Sequence, residues 1–142
     1  MPPAATTRSL ALPSGVKAAA ALFAVYGICA FLNSAVVMPS AGWPAPSEWV
    51  RAFVRLAGAG VIAWGLLRRE RWAWGLGLVL GLFWIVTDGL ATLVVQDGDV
   101  VWLRPSGFQL LRTASLIGLG AAIALLLTPA VRAAFRRSGE PG

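Results

Sequence analysis

The chain has 142 residues; 58% are hydrophobic, 13% are charged, the formal net charge is +6 and histidine is absent. Soluble domains average about 45–50% apolar and about 25% charged residues, so polar side chains are too few here to cover a water-exposed globule. These figures exclude a soluble single domain and a disordered chain, and they predict an all-α integral membrane protein.

Taken in chain order, residues 1–13 are expected to be a disordered cytoplasmic tail. The first apolar run extends from Val16 to Met38. It is too long for the apolar region of a signal peptide and no small-residue cleavage site follows it, so an uncleaved first span is expected. The Pro-rich stretch Pro39 to Ser47 ends that helix and caps the next, with Ser47 as the expected N-cap. The second run covers Val50 to Leu67, and Arg68-Arg69-Glu70-Arg71 reads as a tight charged loop. The third run covers Trp72 to Gln96 and closes on the turn signal Gln96-Asp97-Gly98-Asp99. Pro105-Ser106 opens the fourth run, Gly107 to Thr128, with Ser106 as N-cap. Beyond Pro129, Ala130 to Arg137 reads as a short basic juxtamembrane helix within a basic cytoplasmic tail, 129–142. Each run has about 18 to 25 residues, the length a helix needs to cross a bilayer. The expected architecture is a transmembrane domain, 14–128, folded as a four-helix up-down bundle with short loops.

Charge sets the expected orientation. Arg8 and Lys17, then Arg68, Arg69 and Arg71, then Arg132, Arg136 and Arg137 flank one side of the spans, whereas the other two loops hold Glu48, Asp97 and Asp99 against a lone Arg104. Positive residues stay inside, which places both termini in the cytoplasm of a bacterial inner membrane. Trp43, Trp49 and Trp102 mark the outer interface, Trp72 and Trp74 the inner one, and Trp64 and Trp84 read as packing residues. The lipid bilayer is the expected partner, with a homo-oligomer or larger membrane complex as the assembly. Nucleic acid is not, because the arginines border apolar spans rather than covering a soluble face.

The polar residues inside the spans carry the functional information. Asn33, Arg55, Asp88 and Arg112 come from four different spans and fall in the same outer layer. An ionisable side chain inside a span costs about +2.5 to +3.5 kcal/mol, so it needs a partner or a purpose. Asp88 shares a stripe with Gly77, Gly81 and Trp84, and Arg55 shares one with Ala59 and Ile62. Asn33 shares one with Tyr26, Cys29 and Ala30, and Arg112 shares one with Ser115, Leu119 and Ala122. Small residues mark faces that pack on protein, and Gly77-x-x-x-Gly81 is such a pattern. Thr87 and Thr113 are expected at the edge of the cluster. Asn33, the Pro-Ser pair and Arg55 are echoed by Asp88, the second Pro-Ser pair and Arg112, which suggests a weak parallel repeat.

Two functions fit this cluster. One is a non-enzymatic accessory or structural bundle, pinned by an Asp88 ion pair to Arg112 or Arg55. The other is a small oligomeric transporter or channel that takes a polar or anionic ligand at Asn33, Arg55, Asp88 and Arg112. Catalysis is not expected. The lack of histidine removes imidazole-based metal and haem sites and histidine triads. A single cysteine, Cys29, removes intrachain thiol–disulfide chemistry. No two acids share a span, so neither a metal site nor any other cofactor is implied.

Overall fold

A computed structural model describes residues 12–37, 46–94 and 107–137. Among these residues the chain is all-helical, with α1 (Ser14–Val37), α2 (Pro46–Leu67), α3 (Arg71–Val94), α4 (Gly107–Leu127) and α5 (Pro129–Arg137). The first four are each long and apolar enough to cross a membrane. The expected N-terminal tail up to residue 11, the two Pro-Ser loops up to Ala45 and Ser106, and the segment from Val95 lie outside the described residues, as does the chain beyond Arg137.

Local chemistry explains the ends. Pro46 and Pro129 each occupy the first helical position, where a missing N–H costs nothing and the fixed φ suits a helix. Ser47 is therefore the second residue of α2 and not its N-cap, a correction to the sequence expectation. The α2–α3 connection is shorter than expected, because Arg71 already belongs to α3. Glu70 N–H donates to the Gly65 carbonyl at 2.9 Å and Arg69 N–H to the Leu66 carbonyl at 3.1 Å. That is the Schellman pattern, and it puts Arg69 in the left-handed region at φ 59°. α4 stops because Pro129 cannot continue its hydrogen bonding, and the Thr128 hydroxyl donates to the Leu125 carbonyl at 2.7 Å.

α1 packs on α2 and α4, and α3 packs on the same two helices. The core runs through Val16, Ala19, Phe23, Tyr26 and Ala30 of α1, Ala59, Ile62 and Leu66 of α2, Trp84 of α3, and Leu119, Ala122 and Leu126 of α4. Small residues bring the helices close. A Cβ at Gly27 would sit 2.7 Å from that of Ala59, so α1 and α2 touch backbone to side chain there. Gly77 and Gly81 do what their spacing predicts: their missing side chains make room for Ile62, Phe23, Leu126 and Ile123. The outside is apolar as well, with Val25, Ile28, Phe53, Val61, Val79, Leu82, Val86 and Ile117 all exposed. So continuous an exposed apolar surface is unsuited to water and suited to lipid. Trp64 belongs to this outer surface, with the Arg68 guanidinium 4.1 Å above its ring, and so is not the packing residue expected from its setting.

α5 is part of the fold. Val131 and Phe135, one turn apart, are buried against the start of α1 and α3. Arg71 of α3 donates through Nε to the Phe135 carbonyl at 3.0 Å and through Nη2 to the Arg136 carbonyl at 2.6 Å. Those carbonyls belong to the last turn of α5, which has no intrahelical donors for them. The Trp74 indole N–H donates to the Leu126 carbonyl at 3.0 Å, so this tryptophan braces α3 against α4.

Candidate functional site

Each polar residue of the site continues a buried stripe of its own helix. On α2 the stripe runs Leu66, Ile62, Ala59, then Arg55 and Ala52; on α3 it runs Ala73, Gly77, Gly81, Trp84, then Asp88. On α1, Phe23, Tyr26 and Ala30 lead to Asn33, and on α4, Ala122 and Leu119 lead to Ser115 and Arg112. Helical spacing of three and four therefore turns one polar group from each helix toward the same volume.

Asp88 is the centre, and it is the buried charged side chain of the described residues. Its Oδ1 accepts from Arg55 Nη2 at 2.6 Å, an ion pair and hydrogen bond in one. Its Oδ2 accepts from the Tyr26 hydroxyl at 2.9 Å. Tyr26 is held for this task by stacking on Trp84, with ring centroids 5.3 Å apart. Arg112 reaches Asp88 differently: its Nη2 donates to the main-chain carbonyl of Asp88 at 3.1 Å. The expected pairing of Asp88 with Arg112 or Arg55 thus resolves to Arg55 for the carboxylate and Arg112 for the backbone. Asn33 makes neither contact; its Oδ1 is buried without a hydrogen-bond partner among the described residues.

All four expected residues line one cavity of about 660 Å³, together with Tyr26, Cys29, Ser34, Arg51, Thr87 and Ser115. That is ample for a small ligand. Among the described residues three guanidiniums and one carboxylate line it, with Trp84, Phe83, Val50 and Val54 supplying apolar wall. Several of the neutral polar groups are already committed to their own helices. The Thr87 hydroxyl donates to the Phe83 carbonyl at 2.9 Å, the Ser115 hydroxyl to the Arg112 carbonyl at 2.7 Å and the Ser34 hydroxyl to the Ala30 carbonyl at 3.2 Å. Thr113 is exposed and does not line the cavity, so it leaves the expected cluster.

Tyr26 is the residue that sequence reasoning missed. It lies on the Asn33 stripe, and as the sole tyrosine of the chain, with a hydroxyl needing a partner inside an apolar helix, it carried a usable signal. Among the described residues no three metal-ligating side chains come together. A guanidinium carries five N–H donors, so Arg55 and Arg112 keep donors beyond the bonds they make to Asp88. No family model, no curated protein and no solved structure matches this chain.

Proposed function

We propose that the chain is a non-enzymatic, multi-pass protein of the bacterial cytoplasmic membrane, an up-down bundle with both termini cytoplasmic, whose outer cavity takes a small anionic solute. One observation carries the reading. Among the described residues the cavity is lined by Arg51, Arg55 and Arg112 and by one carboxylate, that of Asp88, whose oxygens are already engaged by Arg55 and Tyr26. Arg55 and Tyr26 close over the Asp88 carboxylate, yet Arg55 and Arg112 also line the cavity, so the cluster can serve as more than a clamp. Asn33 also lines this wall, and its buried Oδ1 has no hydrogen-bond partner among the described residues. Four helices enclose little space, so solute movement would call for a homo-oligomer.

The second reading, an accessory bundle pinned by a structural ion pair, is favoured by the full engagement of the Asp88 carboxylate alone. Thermal unfolding of the detergent-purified protein separates the two. Acetate, lactate and inorganic phosphate are compared at equal ionic strength with tetramethylammonium chloride as the control. On the solute reading, one of these anions raises Tm in wild type and loses that effect in Arg112→Gln. If none raises Tm above the control, the solute reading fails and the structural one stands.

A further inference from the structure

At the end of the bundle where α2 turns into α3, a second hollow of about 530 Å³ lies between α3 and α5. Among the described residues its lining is Arg71, Trp74, Gly75, Arg132, Phe135 and Arg136, with three guanidiniums and no acid. We propose that this hollow binds the phosphate of an anionic phospholipid. The inference rests on the reading of the bundle as membrane-spanning, and it concerns the end opposite the Asp88 cavity.

The site is built rather than incidental. Arg71 fixes α5 through the Phe135 and Arg136 carbonyls, and Phe135 is itself buried, so the cationic wall is held in place. Arg132 and Arg136 are one helical turn apart, so they project from the same face of α5, and both are exposed. Guanidinium forks match phosphate oxygens in bidentate geometry, which an ammonium cannot do. Trp74 has spent its N–H on Leu126, so its ring offers an apolar flank. A Cβ at Gly75 would meet nothing within 4 Å, so the approach between the arginines and the tryptophan is open.

Position selects lipid over a soluble anion. The apolar stretch of α3 begins at Arg71 and that of α4 ends at Leu127, so the hollow sits where the apolar belt stops. Headgroup phosphates lie at that level, and basic pockets there are suited to anionic lipid. A diester phosphate would meet the guanidiniums while its glycerol and upper acyl chain lay along Trp74.

Native mass spectrometry of the full-length protein, released from detergent with phosphatidylglycerol or phosphatidylcholine, tests the proposal. Wild type should retain one phosphatidylglycerol in preference to phosphatidylcholine. Arg132→Gln with Arg136→Gln should weaken retention about thirtyfold, from about 1 kcal/mol per basic residue. Gly75→Leu, which fills the hollow and leaves every charge in place, should weaken it too. Lys17→Gln with Arg68→Gln removes two charges at the same end outside the hollow and should leave retention as in wild type. Equal loss in that control pair, or normal retention in Gly75→Leu, would overturn the site in favour of diffuse surface charge. Displacement of the lipid by millimolar inorganic phosphate would overturn the choice of lipid. An alkaline carbonate wash of the expressing membranes separates the underlying reading: protein released by the wash refutes membrane insertion and the lipid site together. Protein retained by the wash but indifferent to phosphatidylglycerol refutes the site alone.

Discussion

Asp88→Asn should destabilise the bundle by about 2 kcal/mol, and double-mutant cycles should assign the coupling to Arg55 rather than to Arg112. Charge centres about 4 Å apart attract by about 4 kcal/mol at an effective dielectric near 20. The Asp88 side chain is 10% exposed and that of Arg55 29%, so the stranded guanidinium can turn partly toward the headgroups and recover part of that loss. That brings the cost below the about 3–5 kcal/mol typical of breaking a fully buried pair. Asparagine keeps the shape and its single oxygen can still accept from Tyr26, so the charge and the acceptor facing Arg55 are what is removed. The Asp88→Asn, Arg55→Gln double mutant should then cost about 1–2 kcal/mol less than the sum of the singles. Arg112 donates to the Asp88 main-chain carbonyl, which asparagine retains. Its cycle with Asp88→Asn should therefore show less than half the coupling. Equilibrium unfolding in mixed micelles of mild detergent and dodecyl sulfate gives all the values from one titration series. A larger coupling for Arg112 than for Arg55 would refute the assignment of the carboxylate.

Three further substitutions test the packing around the site and between its helices. Tyr26→Phe removes a hydroxyl that donates to a buried carboxylate at 2.9 Å while keeping the ring on Trp84. It should cost about 1.5–3 kcal/mol in the same titration, and an unchanged midpoint would mean that the bond does not form. Gly27→Ala puts a Cβ 2.7 Å from that of Ala59, whereas at Gly60 a Cβ would meet nothing within 4 Å. The first should destabilise by about 1–3 kcal/mol and the second should stabilise by up to about 1 kcal/mol, as judged by Tm in detergent. Equal effects at the two glycines would contradict the close approach of α1 and α2.

The sequence by itself determined the helices and their number, because length, hydropathy and proline are local properties. Apolar runs of spanning length, the prolines between them and the small-residue spacing of Gly77 and Gly81 needed no tertiary information, although α2 and α5 open on Pro46 and Pro129 themselves rather than after them. It also determined the layer of the polar residues, since a helix rises evenly and depth can be counted along it. Partner choice was beyond it. Arg55 and Arg112 sit at comparable depth on different helices, and nothing local ranks them as partners for Asp88. Only the packed bundle decides, with Gly27 admitting Ala59 and so drawing α2 against α1, and with Arg112 meeting a carbonyl instead of the carboxylate. The same holds for Tyr26, whose hydroxyl crosses from α1 to α3, and for Arg71, which reads as a loop charge until α5 folds back and presents its last carbonyls. Pairings between residues distant in sequence are settled by a few ångströms of interhelical distance and by rotamer, and neither quantity is written in the periodicity of any single helix.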